Sequence, residues 1–120
     1  PVRHGEGKYV MPDRESLTQL STNNQITVRY IDPNNNHVDN NQVLPFPISP
    51  NGSMMNIAGI CDKTGLVFGL MPHPEAIYAQ WLHPDFTRGT APQTKSEIDW
   101  EGQGLQIFRN AIEYTISKNS

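Results

Sequence analysis

The sequence predicts an α/β fold. Three segments read as strands: 26–31 (ITVRYI), 54–61 (MMNIAGIC) and 66–71 (LVFGLM), rich in the β-branched and apolar residues that suit a pleated sheet. Two segments, 13–22 and 101–117, instead space their apolar residues three and four apart, the period of a helix packed on one side. A rigid tripeptide, His73-Pro74-Glu75, follows the last strand. The carboxyl ends of strands are where open α/β sheets carry their sites.

Each element has its own signals. In 13–22 (DRESLTQLST), Asp13 is placed to cap the first turn, Glu15 lies in that turn, and Leu17 and Leu20 share a face. In 26–31, Ile26, Val28 and Tyr30 alternate with Thr27, Arg29 and Ile31. The stretch 32–36 (DPNNN) is a turn, 37–44 a weak returning edge strand, and 45–53 (PFPISPNGS) a proline-punctuated connection. Segments 54–61 and 66–71 are joined by Asp62-Lys63-Thr64-Gly65, a hairpin signal. The second of these strands, nearly continuous in apolar residues, is expected to be covered on both faces. Residues 76–98 read as irregular. In 101–117, Leu105, Phe108 and Ile112 form a stripe widened by Ile107, Ala111 and Thr115, with Asp99 as the expected cap.

Composition narrows the function. One small domain with 36% hydrophobic residues and a mean hydropathy of −0.56 has a modest core, and ten prolines and nine glycines point to much turn and loop. A net charge of −3 with both signs interspersed offers no basic face for a phosphate backbone, so no nucleic-acid partner is expected. No apolar run reaches membrane-spanning length and the first ten residues lack a signal-peptide core, so no membrane partner is expected either. The single cysteine, Cys61, excludes an internal disulfide framework and fits a reducing cytoplasm. The chain begins without Met inside what reads as structure, which predicts a piece of a longer protein or a processed chain.

Pro72 and Pro74 restrain the backbone around His73 to extended conformations, so His73 and Glu75, two residues apart, are expected on the same side. A carboxylate on one imidazole nitrogen fixes the tautomer that leaves the other as a base. The alternative is a turn histidine satisfied by a nearby acid. His4-Gly5-Glu6-Gly7 is the second candidate. Its glycines permit close backbone approach to a ligand or another loop, or they mark an ordinary turn. Asn51-Gly52-Ser53 reads as a turn. His4-x-Glu6, His73-x-Glu75 and His83-x-Asp85 could each offer a metal two ligands, yet no His-x-x-x-His or Cys-x-x-Cys pair accompanies them, so no metal is expected. Gly59-Ile60-Cys61 imitates the start of a nucleophile elbow, but Lys63 stands where the tight turn needs a small residue, and a hairpin follows. Cys61 therefore reads as a strand-end residue.

The segments PVRHGEGKY, SPNGSMMNIAGICDKTGLVFGLMPHPE and FRNAIEY, in this order, resemble the C-terminal half of the glutaminase domain of the phosphoribosylformylglycinamidine synthase family, within the class I (triad) glutamine amidotransferases. The resemblance covers almost the whole chain. The family usually has Asn where this chain has Ser49. The resemblance implies a three-layer, flavodoxin-like α/β domain, of which residues 1–120 supply the later strands, hairpin and terminal helix. It implies His73 as the triad base, Glu75 as its orienting acid, and His4 and Gly5 near the glutamine pocket. The family's Gly-x-Cys-x-Gly elbow lies upstream of His-Gly-Glu-Gly, so the nucleophile-bearing N-terminal portion is expected to be absent and this chain alone inactive.

The partners implied are that missing half, glutamine as substrate, and a synthetase domain or subunit that uses ATP and Mg²⁺ to convert formylglycinamide ribonucleotide to the amidine. No cofactor is expected in this chain itself. The competing reading is a non-catalytic interaction module in which His73-Pro74-Glu75 is only a turn. A domain divided among its strands also exposes sheet edges, which predicts dependence on the missing half or self-association.

Overall fold

The computed structural model describes residues 2–3, 5, 7–35, 42–89 and 101–118. The chain divides into two compact units, Val2–Pro72 and His73–Ser120.

In the first unit, helix α1 spans Arg14–Thr22. Asp13 caps it as the sequence predicts, its Oδ1 accepting the Ser16 N–H at 2.7 Å. The hydrogen bonds to this exposed carboxylate hold its pKa below the usual value. The helix ends where Asn24 turns left-handed at φ 55°. Asn24 N–H then donates to the Ser21 carbonyl and Gln25 N–H to the Leu20 carbonyl, the paired bonds of a Schellman cap. Strand β1 is Ile26–Arg29, β2 is Ile57–Cys61 and β3 is Phe68–Leu70, forming an antiparallel sheet in the order β1-β2-β3. Gly59, Ile60 and Cys61 face Leu70, Gly69 and Phe68 across the hairpin. Gly65 takes φ 73° in its turn, and the Asp62 carboxylate accepts from the backbone of Thr64, Leu66 and Val67 and from the Thr64 hydroxyl.

Several expectations need correction. Strand β1 stops at Arg29 rather than residue 31, and the Ile31 side chain is exposed. Asp32–Asn35 is the expected turn, closed by Asn35 N–H on the Asp32 carbonyl at 3.1 Å. Of the expected edge strand 37–44, residues 37–41 lie outside the described ones and 42–44 form no strand. Met54–Asn56 is a short 3₁₀ turn rather than the start of β2, with Met55 and Asn56 at φ 51° and 56°. The Asn56 side chain explains why: fully buried, it donates to the Gln42 carbonyl and accepts from Leu44 N–H, so it pairs the chain where a strand would otherwise do so. Arg29 adds a hydrogen bond from its guanidinium to the Met55 carbonyl at 2.6 Å.

The expectation that 66–71 is covered on both faces also fails. Leu66 and Val67 precede β3 and are 73% and 68% exposed, and Phe68 is exposed at the sheet edge. β3 is an edge strand of the three-stranded sheet, and Leu66, Val67 and Phe68 stay exposed among the described residues. The core of this unit is small, centred on Ile57 and Ala58 at the start of β2.

In the second unit, short 3₁₀ turns occupy Pro74–Ile77, Gln80–Leu82 and Phe86–Arg88, as the irregular reading of 76–98 implies, residues 90–98 lying outside the described ones. The terminal helix, α2, runs over Gln106–Lys118 and is entered through a 3₁₀ turn at Gln103–Leu105. The expected cap Asp99 lies outside the described residues. The helix expected over 101–117 thus begins only at Gln106, Leu105 of the expected stripe lies in the 3₁₀ turn, and Phe108, Ala111, Ile112 and Thr115 are exposed. No helix among the described residues is long and apolar enough to cross a membrane.

Candidate functional site

His73 and Glu75 meet. His73 Nδ1 lies 2.6 Å from Glu75 Oε1, with the two side chains 39% and 57% exposed. The local geometry differs from the extended tripeptide the prolines suggest. His73, at φ −108° and ψ 84°, precedes a 3₁₀ turn in which Pro74 is the first residue and Glu75 lies in the first turn. Proline's fixed φ near −65° suits the start of a helical turn as well as an extended chain. The turn therefore folds the carboxylate back onto the imidazole, where strand alternation would only have set the two side by side. The result is a short, charge-assisted contact on one ring nitrogen.

This turn rests on two glycines that sequence reasoning passed over. Gly102 and Gly104 lie so close to the carbonyl oxygens of Ile77 and Pro74 that a Cβ on either would overlap them. Gly102 N–H donates to the Tyr78 carbonyl at 2.8 Å, and Glu101 bridges Ala79. Glu101 is buried and paired with the Arg109 guanidinium of α2. The signal was present as Glu101-Gly102-Gln103-Gly104 directly before a helix, but nothing in that motif says which turn the bare backbone approaches.

The second candidate lies in the other unit. His4 and Glu6 fall outside the described residues. Gly5 is exposed, and a Cβ there would meet no atom within 4 Å, so the close approach to another loop is not seen at Gly5. The following residues are firmly tied. Asn51 Nδ2 donates to the Gly7 carbonyl at 2.8 Å, Tyr9 N–H donates to Ser53 Oγ at 3.1 Å, and Met54 N–H donates to the Tyr9 carbonyl at 3.1 Å. The Tyr9 hydroxyl donates to the Gly69 carbonyl of β3 at 3.2 Å. Burial raises the Tyr9 phenol above its usual pKa, and burial together with the neighbouring Tyr9 does the same for Tyr30. Tyr9 therefore remains a proton donor at neutral pH. Asn51-Gly52-Ser53 is the turn expected, with Gly52 at φ 70°, but its flanking side chains do more than make a turn.

Cys61 is the last residue of β2. Its N–H donates to the Gln25 carbonyl and its carbonyl accepts from Gln25 Nε2, both at 2.9 Å, and a hairpin follows it. A nucleophile elbow places its residue between a strand and a helix, so Cys61 occupies the strand-end position its surroundings predict. His83 Nδ1 accepts the Asp85 N–H at 3.1 Å within its own turn. No cluster of three or more metal-ligating side chains occurs among the described residues.

A paired imidazole and carboxylate on a short turn can serve as a base with its orienting acid, or as a turn histidine satisfied by its neighbour. Residues 1–115 match the model of the CobB/CobQ-like glutamine amidotransferase domain, and the chain belongs to that family. Among individual proteins, it is 38% identical over 123 residues to the phosphoribosylformylglycinamidine synthase subunit PurQ of Methanococcus maripaludis, covering 95% of this chain and 41% of the relative. It is 38% identical over 117 residues to the protein of the same name from Archaeoglobus fulgidus, covering 95% and 36%. With that of Picrophilus torridus it shares 47% over 78 residues, 65% of this chain and 29% of the relative. The chain thus spans less than half the length of the curated relatives it matches.

Proposed function

We propose that this chain is the base-bearing part of a glutaminase. It releases ammonia from glutamine for the ATP-dependent conversion of formylglycinamide ribonucleotide to formylglycinamidine ribonucleotide in purine biosynthesis. The observation that carries the reading is the 2.6 Å contact between His73 Nδ1 and Glu75 Oε1 in a chain of the glutamine amidotransferase family. The names of the relatives support the particular reaction.

With Glu75 accepting a hydrogen bond from Nδ1–H, the lone pair of His73 is on Nε2. A thiol gives its proton to Nε2, and the thiolate attacks the side-chain carboxamide carbon of glutamine. The imidazolium, stabilised by Glu75, returns that proton to the departing ammonia. His73 then takes a proton from water, which cleaves the thioester to glutamate and restores the thiol. In this reading the thiol belongs to a segment outside these 120 residues, because Cys61 lies at a strand end followed by a hairpin. The whole domain is three-layered and flavodoxin-like, and residues 1–120 are its C-terminal portion. Exposed Leu66, Val67 and Phe68 support a further layer over the hairpin. His4 and Gly5 border the glutamine pocket. ATP and Mg²⁺ act in the synthetase partner, which receives the ammonia.

The test uses the full-length glutaminase with its synthetase. His73→Ala is expected to lower glutamine-dependent turnover by about 10²–10⁴-fold, while turnover driven by added ammonia stays at the wild-type rate. Cys61→Ser is expected to leave both rates unchanged. Wild-type glutamine use by His73→Ala would refute the assignment of the base, and its loss in Cys61→Ser would refute the external thiol.

A further inference from the structure

Within the unit His73–Ser120, Glu101 is buried although its side chain carries a charge. Its Oε2 accepts from Nη2 of Arg109, in the second turn of α2. A buried carboxylate is costly unless it is paired, and the chemistry above uses neither residue. The surroundings of the pair show what it holds. Residues 101–104 run antiparallel to the turn that carries the candidate site: Glu101 bridges Ala79, and Gly102 N–H donates to the Tyr78 carbonyl at 2.8 Å. Further along, the bare backbone of Gly102 and Gly104 lies against the carbonyls of Ile77 and Pro74. Pro74 stands between His73 and Glu75, so its contact with Gly104 fixes the backbone on which both side chains are mounted. The strip then enters α2 through the turn at Gln103–Leu105. Arg109 reaches back eight positions to Glu101 and so ties the start of the strip to the helix.

We infer that Glu101 and Arg109 are positioning residues for the His73–Glu75 pair. Their ion pair keeps the 101–104 strip in register with Pro74–Ala79, and the strip sets the turn that folds Glu75 onto the imidazole. The inference deepens the proposed function and rests on its reading of His73 as the base. The 2.6 Å contact between His73 Nδ1 and Glu75 Oε1 leaves little room for movement, since a displacement of about 1 Å takes it beyond hydrogen-bonding range. Loss of Arg109 leaves the buried Glu101 carboxylate without this cation, a strain relieved by protonation or by a swing toward water. Either response frees the strip, and Glu75 drifts from Nδ1. The imidazole then loses the partner that selects its tautomer.

The experiment uses the full-length glutaminase with its synthetase and compares Arg109→Met, Arg109→Lys, Glu101→Gln and His73→Ala. It measures kcat and KM for glutamine, turnover with ammonia and, by nitrogen NMR of histidine-labelled protein, which ring nitrogen of neutral His73 carries the proton. Arg109→Met is expected to lower glutamine-dependent kcat about 10–100-fold, the size of effect a misplacement of about 1 Å produces. KM stays within about twofold and ammonia-dependent turnover is unchanged. The His73 proton moves from Nδ1 alone to a mixture of both nitrogens. Arg109→Lys restores most of the kcat and the Nδ1 proton, because an ammonium can also reach a single carboxylate oxygen. Glu101→Gln keeps the shape, leaves no unpaired buried charge and carries the test should Arg109→Met fail to fold. A lowered kcat or unfolding midpoint with unchanged His73 ring signals would mark the ion pair as merely structural and overturn the inference. Altered ring signals at wild-type kcat would uphold the positioning and refute His73 as the base, as would glutamine use by His73→Ala. If His73→Ala loses glutamine use while Arg109→Met and Glu101→Gln keep the wild-type ring signals, only the positioning role falls.

Discussion

The units Val2–Pro72 and His73–Ser120 hold irregular backbone in opposite ways. The first buries polar side chains: Asn56 and Ser53 are almost wholly enclosed, and each is hydrogen-bonded to a distant stretch of backbone. The second removes side chains: Gly102 and Gly104 bring bare backbone against Ile77 and Pro74. The difference follows from what each must fix. A long connection such as 42–56 has backbone groups that no ladder satisfies, and a buried amide supplies both donor and acceptor. The turn carrying Glu75 already makes its own 3₁₀ bond, Ala76 N–H to the His73 carbonyl. It needs only a close-fitting support, which glycine allows.

Substitutions can break this contrast, and the largest effect belongs to the apolar centre on which the first mode depends. Ile57, with no exposed surface, is expected to cost about 2–5 kcal/mol when changed to Ala, read by denaturant unfolding of the full-length protein. Asn56→Asp keeps the shape but replaces the donor facing the Gln42 carbonyl with an acceptor. A loss of about 1–3 kcal/mol is expected, and an unchanged unfolding midpoint would show that the buried amide is not what holds 42–56. Gly104→Ala tests the second mode. Overpacking against the Pro74 carbonyl is expected to cost about 1–3 kcal/mol. By shifting the turn that carries Glu75, it should also lower glutamine-dependent kcat while sparing ammonia-dependent turnover. The smallest effect sharpens the comparison at the hairpin. Bonds from Thr64 and the Val67 amide hold the exposed Asp62 carboxyl at about 2, below its ordinary 3.8. A carboxylate depressed in the folded state stabilises above its unfolded pKa, and that contribution fades as pH falls through the folded one. Acid unfolding between about pH 4 and 2 should therefore lose part of its pH dependence in Asp62→Asn.

Much of this was legible in the residues, and the exceptions share a cause. Asp13, Gly65 and the spacing in α1 announced a helix and a hairpin, since caps and turns depend on residues a few positions apart. The strand at 54–61 lost its first three residues because the partners of the Asn56 amide, Gln42 and Leu44, lie twelve to fourteen residues away. The burial expected for Leu66–Phe68 failed because coverage is a property of neighbouring layers. At the site, His73 and Glu75 were read correctly as a pair, although through extended geometry the structure replaces with a turn. Gly102, Gly104, Asn51 and Ser53 were missed as supports because their partners lie far along the chain.

The sequence by itself determined helix α1, the hairpin, the nearness of His73 to Glu75 and the strand-end place of Cys61, since each follows from chemistry within a few residues. Tertiary structure alone decided that the Pro-Asn-Gly-Ser turn grips residues 7–9 and that Gly104 sits under Pro74. Those contacts join residues 30 to 45 positions apart, and backbone carbonyls, alike at every residue, leave no mark in a sequence to show which of them a distant amide or glycine will meet.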